Sequence, residues 1–338
     1  MNRLQQIVDK KRILFIAPKY FGYEDRIIEE FQNAGAAVDF IQENIDATTT
    51  KFLLLNKFPE SIRNSEAEKY FIKKIKGLEA ARYDFVFCIH VDLFSDKVFE
   101  VLKAKYPDAK YILHYWDSCK RMRNAADRVK HFEKVSTFDG ADSKELGWKL
   151  RPLFFIPSFA GISDNANKKI DIIYIATLSR ERAAYYKKLK AYCEANGISL
   201  YAKFYVRKLV WNLQKNKFEE YAGLTESELS FTSIPMAEIQ QKMKEAKVMF
   251  DCNHSAQTGL TMRTIECVGA KLRLATTNLG IAEYDFYNED NFYLIRDDQF
   301  EGLAEFVKNG SYKQLPDEIY EKYSLNYWLY DIFEGLFV

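Results

Sequence analysis

With 338 residues the chain is long enough for two domains of ordinary size, and 48% hydrophobic against 29% charged residues is a soluble globular balance. Its 49 basic and 48 acidic residues leave a net charge of +1, which excludes a global field for nucleic acid, and no stretch approaches the ~18 apolar residues of a membrane span. Five cysteines without a CxxC pair exclude a disulfide framework and a structural zinc site; with an N-terminus that lacks an apolar signal core, they predict a cytoplasmic protein.

In chain order, the first apolar run predicts a buried strand over 13–18, then the loop 19–23 and a helix over 24–34 stopped by Gly35. A second strand covers 37–42. Phe71, Ile72, Ile75 and Leu78 share one face of a long helix over 65–81. Strands over 83–90 and 110–116 flank a helix over 95–106, while 134–138 and 153–156 read as edge strands. His114 falls inside a strand and is expected in the core. His131, in a charged helical stretch, is expected at the surface.

After the loop 157–169 the same alternation restarts, with strand 170–176, helix 182–196, strand 199–204, helix 235–246 and strand 248–252. A polar loop over 254–260 leads to Thr261 as N-cap of a helix over 262–268, which Gly269 and Ala270 end. Strands over 272–277 and 292–295, a helix over 300–308 and an aromatic helical tail over 316–337 complete the chain. The class is α/β, with two parallel sheets and a domain boundary near 157–168.

Open α/β sheets hold ligands beyond the carboxyl ends of their strands. In the first half, Asp92 and Asp117, with His90 third, are the candidates for a base that deprotonates an acceptor hydroxyl during group transfer. Helix capping by Asp92 and an Asx-turn at Asp117 are the competing structural roles. In the second half, Thr177, Ser179, Arg180 and Arg182 follow one strand. Thr258, Gly259, Leu260 and Thr261 lead into a helix that carries Arg263. Backbone N–H groups, a helix dipole and guanidinium charge there suit a diphosphate. Glu266 is placed to accept from ribose hydroxyls; a solvated Arg–Glu pair is the competing role.

Lys and Arg also crowd 180–217, where Lys208, Trp211 and Lys215 are candidates for peripheral contact with the inner face of a membrane. No Walker A, GxGxxG, HExxH or GxSxG motif is present, and no DxD pair adjoins a nucleotide loop. Neither a metal nor a cofactor is therefore expected.

The segments Asp171-Ile-Ile-Tyr-Ile-Ala-Thr-Leu-Ser-Arg-Glu-Arg182, Gln257-Thr-Gly-Leu-Thr-Met-Arg-Thr-Ile-Glu266, Leu274-Ala-Thr-Thr-Asn278 and Tyr284-Asp-Phe-Tyr-Asn288 together resemble GT-B bacterial glycosyltransferases. The resemblance is to enzymes of lipopolysaccharide O-antigen and capsule assembly, in the spore-maturation-protein-like group 1 glycosyltransferase clan. The first half is similar through Tyr83-Asp-Phe-Val-Phe, His114-Tyr-Trp-Asp-Ser118 and Ser136-Thr-Phe-Asp139. What the resemblance implies is two Rossmann-like domains facing a cleft. An acceptor domain would cover 1–157, a nucleotide-sugar domain 158–315, and a helical tail over 316–338 would return to the first domain. Arg180, Arg182 and Arg263 would hold the donor diphosphate, Glu266 the ribose, and 258–261 the backbone cradle. Thr258 stands where the family's paired-Glu motif has its other Glu, eight residues before Glu266. The resemblance implies glycosyl transfer from a nucleotide sugar to a saccharide or lipid-linked saccharide. A GT-B-fold nucleotide-sugar 2-epimerase and a non-catalytic saccharide-binding or assembly subunit are the alternatives.

Overall fold

The computed structural model describes residues 2–43, 60–122, 125–164, 167–253 and 258–336. The chain divides into two compact units, Met1–Pro152 with Leu325–Val338, and Leu153–Ser324. These divisions fall a few residues before the expected 157/158 and a helix after the expected 315/316.

Unit 1 begins with α1 (Arg3–Val8), then β1 (Arg12–Ala17), α2 (Tyr23–Asn33) and β2 (Ala37–Gln42). It continues with α3 (Glu60–Lys76), β3 (Phe85–Ile89), α4 (Asp96–Lys105) and β4 (Lys110–Tyr115). The short elements α5 (Ala125–Arg128), β5 (Lys134–Thr137), α6 (Gly140–Leu146) and β6 (Lys149–Leu150) follow. The described strands form one six-stranded parallel sheet in the order β2-β1-β3-β4-β5-β6. β3 is buried along its whole length, as expected of a central parallel strand covered on both faces.

Unit 2 repeats the pattern with β7 (Ile170–Thr177), α7 (Arg180–Asn196), β8 (Leu200–Tyr205), α8 (Lys208–Gln214) and β9 (Leu229–Ser230). Next come α9 (Met236–Glu245), β10 (Ala246–Asp251), α10 (Met262–Ala270), β11 (Arg273–Thr276) and β12 (Phe292–Leu294). Helices α11 (Leu303–Asn309) and α12 (Asp317–Lys322) close it. Its described strands are again six and parallel, ordered β12-β11-β10-β7-β8-β9.

The final helix, α13 (Leu325–Phe333), belongs to unit 1. Phe333 meets Phe31, Phe85 and Phe87 edge-on, and Trp328 meets Phe87 and His114. Asp331 forms ion pairs with Lys149 at 2.7 Å and Arg151 at 3.3 Å. The aromatic tail thus splits: α12 stays with unit 2, and α13 fills the apolar face of unit 1.

Three expectations are corrected. Residues 153–156 are all buried, but form no strand; only Phe155 pairs, through a single parallel bridge to Ser324. An uninterrupted apolar run signals burial without specifying a ladder. Helix α3 begins earlier than expected and stops at Lys76, where the Lys105 ammonium caps the helix end by donating to the carbonyls of Ile75, Lys76 and Leu78. His131 is largely covered, because its ring stacks on Phe99 at 4.2 Å and bonds Asp96. His114, as expected, is fully buried, and its Nδ1 lies 2.9 Å from the Ser136 hydroxyl.

Candidate functional site

In an open parallel sheet, neighbouring strands whose chains leave in opposite directions open a crevice at their carboxyl ends. The strand orders put one such switch point between β1 and β3, and another between β7 and β10. The residues just past these four strands therefore define two candidate sites, one on each unit.

On unit 1 the residue after β3 is His90, held at φ +63°. A non-glycine side chain in the left-handed region costs on the order of 1–3 kcal/mol and persists only where its surroundings hold it. Here the imidazole Nε2 lies 3.1 Å from Asp117 Oδ2, past the end of β4. Burial opposes a proton on His90. The Asp117 hydrogen bond and the charges of Asp117, Glu43 and Asp92 outweigh that, and hold its pKa above the usual histidine value. Nδ1 is buried and has no hydrogen-bond partner among the described residues. With Nε2–H donating to Asp117, Nδ1 carries the lone pair, the arrangement of a general base oriented by a carboxylate.

Glu43, just past β2, is the residue that sequence reasoning missed at this end of the sheet. Its carboxylate accepts from the backbone N–H of Leu93 at 3.0 Å, and burial raises its pKa. It thereby fixes the turn carrying Asp92, and its charge faces His90. Asp92 does not cap the next helix, because Ser95 does. Tyr20 and Trp116, from the loops after β1 and β4, place their rings 6.2 Å apart at the same end.

On unit 2 the switch point is crossed by Arg182. Its guanidinium donates to the carbonyl of Thr177, the last residue of β7, at 3.0 Å, and to that of Cys252, just past β10, at 3.4 Å. Ser179 caps α7 by accepting from the Arg182 N–H. Thr261 caps α10, accepting from Thr264 N–H, while its hydroxyl donates to Asp251 at 2.6 Å. Asp251, a buried carboxylate at the end of an apolar strand, was not anticipated. Gly259 and Leu260 are buried, and the Gly259 carbonyl accepts from Asn278; Thr258 is exposed. Residues 254–257 of the expected loop lie outside the described residues.

Arg263 and Glu266 form an ion pair at 2.5 Å. Glu266 is only 3% exposed, and burial pushes its carboxyl up to about 8. Burial likewise lowers the Arg263 pKa, and the nearby positive charge of Arg182 lowers it further. Burial thus disfavours both charges, and the Arg263 guanidinium donates to the Glu266 carboxyl. The pair is inside the unit, not the solvated surface pair that helical spacing alone allowed. Arg263 lies within reach of the Arg182 charge, whereas Arg180 is committed elsewhere: it bonds Glu220 at 2.7 Å and lies over the Phe218 ring at 4.5 Å. The cations of α7 are neutralised in the same way, Lys188 by Asp298 and Lys190 by Glu228. A short run over 219–228, which gave no helical signal, supplies two of these acids.

Two Rossmann-like units, each built on a six-stranded parallel sheet, give this chain the GT-B fold. No family model and no curated protein matches the chain. Among solved structures, it is similar to apo OtsA, with a TM-score of 0.60 at 10% identity over 97% of this chain and 99% of that one. A glycosyltransferase from Rickettsia africae matches with a TM-score of 0.55 at 13% identity, over 96% of this chain and 99% of that one. S. aureus MnaA, solved with UDP, matches with a TM-score of 0.52 at 9% identity, over 95% and 94%. At these identities the likeness is one of fold. Among the described residues no helix is long and apolar enough to cross a membrane.

Proposed function

We propose that this chain transfers a glycosyl group from a nucleoside-diphosphate sugar to a saccharide or lipid-linked saccharide acceptor in bacterial surface polysaccharide synthesis. The observation that carries the reading is Arg182 lying across the switch point of unit 2, with Arg263 close by at the start of α10. Two guanidinium groups beside a helix N-terminus suit the two phosphates of such a donor. The likeness in fold to MnaA, whose structure holds UDP, supports the same ligand class.

In this mechanism His90 Nδ1 takes the proton from the acceptor hydroxyl as that oxygen bonds the anomeric carbon. The bond from the anomeric carbon to the diphosphate oxygen breaks, and its electron pair leaves with the nucleoside diphosphate. Arg182 and Arg263 neutralise the leaving charge without a metal ion. Asp117 orients His90 and stabilises the imidazolium. Glu266 acts through Arg263 as a positioning residue, and the faces of Tyr20 and Trp116 suit a sugar ring.

A thermal-shift panel of UDP, GDP, dTDP and CMP tests the donor site, because a ligand that binds the native state raises its unfolding temperature. One nucleoside diphosphate is expected to stabilise the protein, and Arg182→Ala and Arg263→Ala each to reduce that shift. No shift with any of the four would favour a non-catalytic subunit. Conversion of UDP-GlcNAc without acceptor would favour an epimerase.

A further inference from the structure

The basic stretch over 180–217 separates in the fold into two parts of different character. The α7 cations Arg180, Lys188 and Lys190 are paired with carboxylates. Arg207, Lys208, Lys215 and Lys217, around α8, are exposed, and no carboxylate pairs with them among the described residues. From Val206 to Phe218 the sequence contains these four cations and no acid.

Helix α8 is apolar on both sides. Val210 and Trp211 pack inward against the core of unit 2, with the Trp211 ring 5.8 Å from that of Tyr221. The outward side carries Leu209, 71% exposed, and Leu213, 58% exposed. Spaced four apart, the two leucines project together from one helical face. Two neighbouring leucines standing in water, ringed by uncompensated cations, are an unsatisfied surface.

We infer that α8 docks unit 2 on an anionic phospholipid bilayer, Leu209 and Leu213 entering the interface while Arg207, Lys208, Lys215 and Lys217 meet lipid phosphates. Charge decides the occupant. An acidic bilayer attracts each cation near its surface and accepts apolar side chains at the acyl boundary. A nucleic acid would engage the cations and leave the leucines exposed. Trp211, singled out by the sequence pattern, is not the inserting residue, because its ring is already packed.

The inference does not depend on the catalytic reading and is tested without donor or acceptor. The full chain is sedimented with vesicles of phosphatidylcholine and phosphatidylglycerol, and separately with phosphatidylcholine alone. Binding is expected only to the mixed vesicles, weakening as salt rises. Leu209→Asp/Leu213→Asp is expected to weaken it roughly tenfold or more with no change in thermal unfolding, and Lys208→Gln/Lys215→Gln/Lys217→Gln to abolish the preference for anionic lipid. Equal binding to both vesicle types, full binding by the leucine variant, or leucine-dependent self-association without lipid would each overturn the inference. Loss of vesicle binding alongside an intact nucleotide shift leaves the transfer reading standing.

Discussion

At the scale of single residues, the most informative are those held against their intrinsic preference. His90 has a left-handed backbone and a covered imidazole with a raised pKa, all centred on Asp117. A histidine base must be neutral to accept a proton, so transfer should fail as pH falls through a midpoint above the ordinary histidine value. Asp117→Asn removes the charge that supports the imidazolium, and the midpoint should then move to lower pH. His90→Ala should lower kcat by about 10²- to 10⁴-fold, the usual contribution of a general base. A pH–rate profile unchanged by Asp117→Asn would show that the pairing only packs. His90, Asp92 and Asp117 were all visible as strand-end candidates. Which of them would meet was not, because His90 and Asp117 leave different strands and their contact is made by strand order.

At the scale of elements, the runs that became strands were legible because parallel strands covered on both faces are apolar nearly throughout, as in β3 and β10. Helix ends were harder to place. Gly269 and Ala270 were expected to end a helix over 262–268, yet α10 includes both and is capped by Lys271, which takes φ +55°. The glycine has a different reason. A Cβ at Gly269 would lie 2.3 Å from Phe155 Cγ, so the helix and the segment entering unit 2 touch directly at that point. Gly269→Ala is therefore expected to destabilise unit 2 by about 1–3 kcal/mol, the usual cost of overpacking, despite alanine's better helix propensity. Chemical denaturation measures this; a neutral or stabilised variant would mean that Phe155 moves freely. No spacing rule reveals such a clash, because the two residues are far apart in the chain.

At the scale of the whole molecule, unit 1 is completed by residues from the opposite end of the chain. Trp328 and Phe333 on α13 cover Phe31, Phe85, Phe87 and His114, and His114 in turn is held well below the ordinary histidine pKa, at about 3, chiefly by burial. Trp328→Ala is expected to cost about 3–5 kcal/mol. Hydrogen exchange should place the loss in Met1–Pro152, with Leu153–Ser324 keeping its protection. Uniform loss over both units would contradict the assignment of α13.

Local chemistry was sufficient to determine the α/β alternation, the apolar strands and the N-cap at Thr261. Each of these depends on neighbours a few residues away, and such patterns are written directly in sequence. Tertiary structure alone decided which charges remain available. It laid Arg182 across two strand ends, buried Glu266 against Arg263, gave Arg180 to Glu220 and left the cations around α8 without acids. Charged side chains are long and satisfy whichever partner the fold brings within reach. Their fate therefore follows from strand order and packing, which no local pattern encodes.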